Sequence, residues 1–333
     1  MARRKRIKVN GGIFHLMSRT VDGEFLFEDG QKETIRKMID VVAQFSGVEV
    51  LTYCVMSNHF HLLVRVPDGS QVKLSDEELV RRYRLLHAAS EGKRKKGRAL
   101  KFAPDTPEQV EACLQKGGAD AQILRDRLRA RMYEVSEFMK TLKQRISIWY
   151  NATHDRYGPL WCDRFKSVLV EGRKEVLLVM AAYIDLNPVR AGLVRDPKQY
   201  RFCGYAEALA GNEALREGLR QVTGVPVVRG DWKVVLAEYR KLLLSAGSGA
   251  KAGKKRLDPQ EVREILERGG GDLGRFELLG HRLSYLVNGV VLGSESWVKE
   301  RMSQLGKVDS AAGGEKIKSL LGLGVVAGKR CRR

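Results

Sequence analysis

The sequence predicts an α+β fold: an antiparallel sheet with helices on one face, an inserted helical lobe and a mostly α-helical C-terminal module. Two patterns support this prediction. Several short segments rich in β-branched residues alternate with a period of two, which is typical of strands, and the segments between them repeat apolar residues every three or four positions, which is typical of amphipathic helices. Near the start of the chain the order is β-α-β-β, the beginning of a split, ferredoxin-like unit.

The first four elements follow one another closely. In residues 13–19, Ile13, His15 and Met17 alternate with Phe14, Leu16 and Ser18, which predicts the first strand. Residues 31–46 carry an apolar stripe that predicts a helix capped by Gly47. Residues 48–56 are apolar on both faces, which predicts a central strand. A tight turn leads into residues 59–66, the next strand. The three strands form the first part of the predicted sheet, and the helix covers one of its faces.

Residues 70–131 interrupt this pattern and predict the inserted lobe. They lack a strand pattern, whereas residues 76–89 and 120–132 repeat apolar positions at helical spacing. Between these helices, residues 91–98 form a basic run with two interpretations, a solvated loop or a patch that contacts phosphates.

Beyond the lobe the sequence predicts a helix, a fourth strand and a further helix. Residues 135–150 carry a long apolar stripe, and residues 166–171 are rich in β-branched and apolar side chains. Residues 174–187 read as a mostly buried helix that stops before Pro188, whose ring disfavours helix at the residue before it. We expect a first domain over residues 1–210.

The charge of the chain favours a polyanionic partner. Sixty Lys and Arg residues against forty Asp and Glu residues give a formal net charge of +20 over 333 residues. Nucleic acid is the leading candidate, because no basic amphipathic anchor or lipidation motif points to a membrane surface. No GxxxxGK[ST] phosphate loop is found, so we expect no nucleotide cofactor.

Composition also limits the protein's class and location. No apolar run approaches the roughly 18 to 20 residues that span a bilayer, so we expect no membrane association. The five cysteines are scattered and form no C-x-x-C pair, which argues against a disulfide framework or a zinc finger. The basic N-terminus is not followed by the apolar segment of a secretory signal. We expect a cytoplasmic, nucleoid-associated protein.

The last third of the chain predicts a separate, smaller part. Residues 211–255 read as a helix followed by a basic linker rich in small residues. Residues 256–333 predict a small helical module whose first helix begins near Asp258 with Pro259 in its first turn. We expect this module either to bind DNA in the manner of a helix-turn-helix or to serve packing or dimerisation.

A His-hydrophobic-His element marks the candidate site. His59 and His61 flank Phe60 on a predicted strand, and side chains two residues apart on a strand share a face. The pair has two interpretations: half of a metal site, or polar residues on a half-exposed strand face.

A second pair lies on the predicted helix before Pro188. Tyr183 and Asn187 are four residues apart, so they share one helix face. If that face lies beside the histidines, two imidazoles and the amide oxygen of Asn187 would hold Mg²⁺ or Mn²⁺, with positions left for phosphate oxygens and water. Imidazole ligands favour Mn²⁺ somewhat over Mg²⁺.

The tyrosine of this pair is the candidate nucleophile. Free tyrosine titrates near pH ~10, so the phenol of Tyr183 needs a polarised phosphate and a nearby base. Tyr157, in an aromatic turn, is the rival nucleophile, whereas Tyr53 and Tyr150 fall on apolar patterns. For His15, on the first strand, we expect a packed or hydrogen-bonded role instead of ligation.

At these residues the sequence resembles the REP-associated tyrosine transposases, a branch of the single-tyrosine His-hydrophobic-His transposase superfamily. The matching stretches, in order, are residues 11–16, 56–64, 138–150, 164–171 and 183–194. They cover about the first two thirds of the chain. The resemblance implies the fold of the His-hydrophobic-His endonucleases, with metal ligands at His59, His61 and Asn187.

The resemblance also implies an activity. Tyr183 would attack single-stranded DNA next to a hairpin, form a 5′-phosphotyrosine link and free a 3′-OH. We expect single-stranded or hairpin DNA with inverted repeats as the partner, bound by a monomer or homodimer. Two alternatives remain: a non-catalytic binder of hairpin DNA or RNA, and a replication-initiating nickase with the same site, for which no helicase or primase domain is visible.

Basic and aromatic residues near these motifs are the candidate DNA contacts. Trp161 lies in a turn rich in aromatic residues and arginine, where a base-stacking platform and buried packing are both open. The full set is Arg3, Arg4, Lys5, Arg19, Lys140, Lys143, Trp161, Arg164, Lys166 and Arg190.

Overall fold

A computed structural model describes residues 9, 11–88, 105–226, 232–248, 290–304, 318–320 and 325–328. Three of the candidate DNA contacts, the basic run of residues 91–98 and the helix expected from Asp258 lie outside the described residues. Those three contacts are Arg3, Arg4 and Lys5. Among the described residues, no helix is both long and apolar enough to cross a membrane.

The described strands form one seven-stranded sheet with the order β2-β3-β1-β4-β5-β7-β6. The strands are β1 (Gly12–Arg19), β2 (Glu49–Val55), β3 (His59–Val66), β4 (Lys166–Val170), β5 (Val291–Gly293), β6 (Lys318–Leu320) and β7 (Val325–Gly328). The order of the first four strands is that of a split β-α-β unit, in which β3 lies between β1 and β2. The predicted α+β fold is confirmed. The expectation that residues 48–56 form a central strand is wrong: among the described strands β2 lies at the edge of the sheet, where residues 202 and 203 pair with it and cover it.

The first four strands have the pairing that this topology requires. β1 and β4 are antiparallel, with Phe14 opposite Leu169 and Met17 opposite Lys166. β2 and β3 are joined by only three residues, so these neighbouring strands form a hairpin, closed by a 2.8 Å bond from the amide of Met56 to the carbonyl of His59. The hairpin brings the His-hydrophobic-His segment next to β1.

The described residues form eleven α-helices. They are α1 (Asp29–Ser46), α2 (Asp76–Ala88), α3 (Pro107–Lys116), α4 (Gly118–Arg129), α5 (Val135–Thr153), α6 (Lys174–Asp185), α7 (Asn187–Arg190), α8 (Gly204–Leu209), α9 (Glu213–Thr223), α10 (Trp232–Ser248) and α11 (Glu295–Gln304).

The chain divides into two compact units. Within the described residues, the first unit comes from Met1–Lys32, Val50–Arg65 and Trp161–Arg333, and the second from Glu33–Glu49 and Val66–Leu160. The first unit holds the sheet and α6 to α11. In the second unit α2, α3 and α4 pack on one another, and Arg125 of α4 forms a 2.7 Å ion pair with Asp76 of α2. The domain boundaries expected from the sequence stay a prediction.

The C-terminal region contributes strands that the sequence did not predict. β5 pairs parallel to β4, with Leu169 opposite Val291, and β7 pairs antiparallel to both β5 and β6. We expected a mostly α-helical module here. The described part of residues 256–333 instead holds one helix, α11, and three strands of three or four residues. Strands this short show no alternation in sequence, and only pairing with β4 and with one another defines them.

A buried carboxylate anchors α6 within the first unit. Asp185 is fully buried and accepts hydrogen bonds from the hydroxyls of Thr52 on β2 (2.9 Å) and Tyr239 on α10 (2.5 Å). The amide of Tyr205 lies 3.4 Å from the same carboxylate. Three elements are therefore tied to the last residue of α6. This end of the helix carries the candidate nucleophile.

Candidate metal and nucleophile site

The two histidines of β3 share one face of the strand. The centroids of the His59 and His61 rings are 5.0 Å apart, with the ring planes nearly perpendicular. His61 is buried and His59 is half-buried, and Phe60 between them is buried. This matches the arrangement expected for residues two apart on a strand.

His15 of β1 meets His61 in the interior of the unit. Its Nε2 lies 2.9 Å from Nδ1 of His61, and the two rings stack with centroids 5.1 Å apart. His15 is 1% exposed. It therefore has the packed and hydrogen-bonded position that its place on the first strand suggested.

Asn58 fixes the ring of His59. Its amide nitrogen donates to the carbonyl of Gly23 (2.9 Å), which directs its oxygen Oδ1 to Nδ1 of His59 at 2.6 Å. An amide oxygen only accepts hydrogen bonds, so Nδ1 of His59 carries the proton. The nitrogen Nε2 of this ring keeps its lone pair.

Both histidines are held in the neutral form. Burial, followed by the charge of Arg19, lowers the pKa of His59 to about 4. Burial also lowers the pKa of His61 well below its usual value, and the neighbouring His15 and His59 act in the same direction. Neutral imidazole is the form that binds a metal.

Tyr183 packs against the same histidines. Its ring meets His61 edge-on with centroids 5.6 Å apart and His15 edge-on at 5.9 Å. The residue is 6% exposed, and burial raises the pKa of its phenol to about 12, against the opposing effect of the Arg190 charge. The phenol is thus protonated at neutral pH, as expected for a nucleophile that needs a proton acceptor.

Arg190 lies over the Tyr183 ring. The centre of its guanidinium is 5.1 Å from the ring centroid, and Nη1 donates to the carbonyl of Tyr183 at 2.9 Å. Burial lowers the pKa of Arg190 to about 10, so the group remains a cation at neutral pH. That Arg190 contacts DNA stays a prediction; in the structure its guanidinium contacts the candidate nucleophile.

Asn187 lies one helical turn beyond Tyr183. The helix predicted through residue 187 is interrupted at Leu186 and resumes as α7, and the amide nitrogen of Asn187 donates to the carbonyls of Tyr183 (2.9 Å) and Ile184 (3.1 Å). Its oxygen is therefore the amide atom turned away from these carbonyls.

The donor set fits a divalent cation. Neutral His59 and His61 and the outward oxygen of Asn187 are two nitrogen donors and one oxygen donor of the kind that Mn²⁺ and Mg²⁺ accept. Among the described residues, no group of three or more His, Cys, Asp or Glu side chains that could hold a metal is found. The roles of these residues stay predictions.

Exposed cations lie at one end of the β1–β4 pair. Arg19 ends β1, Lys166 begins β4, and Arg164 comes just before it; all three are exposed. Arg19 is close enough to lower the pKa of His59 and His61. The exposed charge therefore begins beside the histidines.

The other predicted contacts differ in their surroundings. The ring of Trp161 is half-buried, 5.5 Å from that of Phe60 and 5.9 Å from that of Phe27, which favours packing over a base-stacking platform. In the second unit, Lys140 is exposed and pairs with Glu137 at 3.0 Å, and Lys143 is half-buried.

Asn58 is the residue at this site that the sequence analysis did not single out. Its place directly before the first histidine was the available signal, since an amide there can reach the ring of the next residue.

Two comparisons with known proteins found a similarity. Residues 8–89 match the family model described as "Transposase IS200 like", which confirms the recognition of a transposase family over that segment. Among solved structures, the chain is similar to a REP-associated tyrosine transposase bound to a REP hairpin. That likeness has 14% identity and a TM-score of 0.37, and covers 63% of this chain and 87% of the other. No curated protein matches the chain.

Proposed function

Because residues 8–89 match the IS200-like transposases, we propose that this chain is a metal-dependent endonuclease and strand transferase acting on single-stranded DNA. Its sites would be next to hairpins, as for the REP-associated tyrosine transposases that its motifs resemble. The observation that carries the proposal is the packing of Tyr183 against His61, which in turn packs against His59. One compact cluster thus offers a nucleophile and neutral ligands.

The metal would be held by His59, His61 and Asn187. When bound, Mg²⁺ or Mn²⁺ would polarise the scissile phosphate and neutralise charge that develops on its oxygens. Asn58 and the burial of both rings keep the histidines neutral and oriented for this task. Asn187 would supply oxygen because its nitrogen is engaged by the helix.

Tyr183 would carry the covalent step. Its oxygen forms a bond to phosphorus, the bond from phosphorus to the 3′-oxygen breaks, and the phenol proton is lost to a base while the leaving oxygen takes up a proton as a 3′-OH. The phosphodiester energy stays in the 5′-phosphotyrosine, so the reverse reaction with a 3′-OH needs no nucleotide cofactor. Arg190 holds the ring and the backbone of Tyr183 in place.

The substrate would be drawn in by charge. The chain carries a formal net charge of +20, and Arg19, Arg164 and Lys166 expose cations at the strand ends beside the histidines. Phosphate contacts of this kind position single-stranded or hairpin DNA without reading its sequence. A monomer or a homodimer would meet these requirements.

The test is a covalent adduct assay. The full chain is incubated with a labelled single-stranded oligonucleotide that carries a hairpin, with Mn²⁺, and separated under denaturing conditions. We expect a protein–DNA adduct that is lost in Tyr183→Phe and in the presence of a chelator. Tyr157→Phe is the matched control, since Tyr157 is the rival nucleophile, is 82% exposed and belongs to the second unit.

Two results would contradict the proposal. An adduct undiminished in Tyr183→Phe would exclude this nucleophile. Tight, salt-sensitive hairpin binding that ignores the chelator and gives no adduct with Mg²⁺ or Mn²⁺ would instead support the non-catalytic binder.

A further inference from the structure

His15 is a buried histidine to which the proposed reaction gives no role. Its Nε2 is 2.9 Å from Nδ1 of His61, the two rings lie within 14° of parallel, and its edge contacts the ring of Tyr183. It therefore contacts a proposed metal ligand and the proposed nucleophile at once. His15 and His61 lie on adjacent strands of the sheet, β1 and β3, so the contact is built into the fold.

The bond between the two rings has two possible protonation patterns. If Nδ1 of His61 donates to Nε2 of His15, the nitrogen Nε2 of neutral His61 keeps a lone pair that can bind a metal. If Nε2 of His15 donates instead, neutral His61 carries its proton on Nε2 and cannot bind a metal through that atom. The role of His61 thus depends on which ring donates.

The neighbouring histidine shows the first pattern with a partner that leaves no choice. Nδ1 of His59 donates to the amide oxygen of Asn58, which can only accept, so Nε2 of His59 is the available donor atom. If His59 and His61 bind one cation through Nε2 of each ring, His15 has to accept a hydrogen bond from Nδ1 of His61, as Asn58 accepts one from Nδ1 of His59.

We infer that His15 is a positioning residue. Its Nε2 accepts a hydrogen bond from the protonated Nδ1 of His61, and this fixes the tautomer of His61 whose Nε2 binds the divalent cation. The inference rests on the proposed function, in which His61 is a ligand. A hydrogen bond to the other nitrogen of a ligating histidine orients the ring and raises its basicity, and losing such a bond typically lowers metal affinity by about 10- to 100-fold.

The experiment measures Mn²⁺ binding directly, in the absence of DNA. The loss of the free Mn²⁺ signal in electron paramagnetic resonance is titrated for the full-length wild type, His15→Leu and His15→Gln. The amide oxygen of glutamine falls near the position of the histidine Nε2 and accepts the same proton, whereas leucine fills space without an acceptor. We expect about 10- to 100-fold weaker binding in His15→Leu and binding within a few-fold of wild type in His15→Gln.

The outcomes separate this inference from the proposed function. Wild-type Mn²⁺ affinity in a folded His15→Leu variant would overturn the inference alone. An equal loss of affinity in His15→Leu and His15→Gln, with unchanged thermal melting, would also overturn it, because the loss would then come from packing and not from the acceptor. Absence of Mn²⁺ binding by the wild type would overturn the proposed metal site as well.

A second measurement needs no variant of His15. Two-bond ¹H–¹⁵N correlation spectra of the Mg²⁺-loaded wild type report which nitrogen of each histidine carries a proton, with His61→Gln assigning the signal. We expect His61 to carry a proton on Nδ1 and none on Nε2. The reverse tautomer would overturn the inference.

Discussion

Gly218 of α9 is the position where a single methyl group tests how the helices lie on the sheet. A Cβ atom added there would be 2.5 Å from the carbonyl oxygen and 2.7 Å from the Cα of Leu51 on β2. Backbone cannot rotate away as a side chain can, so α9 would have to move outward by nearly 1 Å to reach an ordinary contact of about 3.4 Å.

The loss of stability in Gly218→Ala can be worked out from the buried side chains of α9 that this movement would pull away from their neighbours. Leu215, Leu219 and Val222 of α9 are at most 5% exposed, and a gap of 0.5–1 Å forfeits about a quarter to a half of each contact's dispersion energy. Burial of each such side chain contributes roughly 1.5–3 kcal/mol, so the loss is about 1–4 kcal/mol in total. Alanine regains about 1 kcal/mol of helix propensity. We therefore expect a net loss of up to about 3 kcal/mol in the free energy of unfolding.

Gly30→Ala is the matched control, because Gly30, in the first turn of α1, belongs to the same compact unit as α9 and a Cβ there meets no atom within 4 Å. Helix propensity alone then acts, and we expect stabilisation by about 0.5–1 kcal/mol. Urea denaturation gives the free energies, and hydrogen exchange of residues 213–223 localises the effect to α9. A Gly218→Ala protein as stable as Gly30→Ala would refute the close approach of α9 to β2.

Two further changes probe the site and its surroundings. Asn58→Leu removes the oxygen that accepts a hydrogen bond from Nδ1 of His59, and we expect the affinity for Mn²⁺ to fall about 10- to 100-fold. Asn58→Asp keeps an acceptor, so its affinity should stay closer to that of the wild type. Equal affinities in the two variants would contradict the tautomer argument. Burial alone would raise the pKa of Asp196, but its ion pair with Arg240 keeps that pKa below the usual value. The pair therefore contributes stability at pH values above the ordinary aspartate pKa of about 4, and this stability is lost as the pH falls through the pKa of the folded state. In acid denaturation followed by circular dichroism, Arg240→Gln should lose less stability over that range than wild type, and parallel curves would count against this account.

The sequence predicted elements whose pattern is local. β3 was expected over residues 59–66 and is found at His59–Val66, and the helix expected over residues 31–46 is found at Asp29–Ser46. Both are long enough for a period to be visible, with one face buried along their length. By contrast, β5, β6 and β7 have three or four residues each, and α3 in the lobe was not distinguished from its surroundings. Their definition depends on distant partners, which a local pattern does not contain.

The candidate site divides in the same way. His59 and His61 could be paired from spacing on a strand, and Tyr183 and Asn187 from spacing on a helix. Spacing could not show that His15, which we expected to be packed or hydrogen-bonded, faces Nδ1 of His61, because that contact joins β1 to β3. The tautomer that we infer for a proposed ligand thus depends on a residue far away in sequence.

The order Asn187-Pro188 explains how a residue at a helix break can present an oxygen. Proline has no amide hydrogen, so the carbonyl of Ile184, four residues earlier, lacks the donor that an uninterrupted helix would supply. The side-chain amide of Asn187 donates to this carbonyl and to that of Tyr183 instead. This engages the nitrogen, and the oxygen takes no part in these two hydrogen bonds. Pro188, which lies within α7, therefore supplies the reason for the orientation of the Asn187 amide.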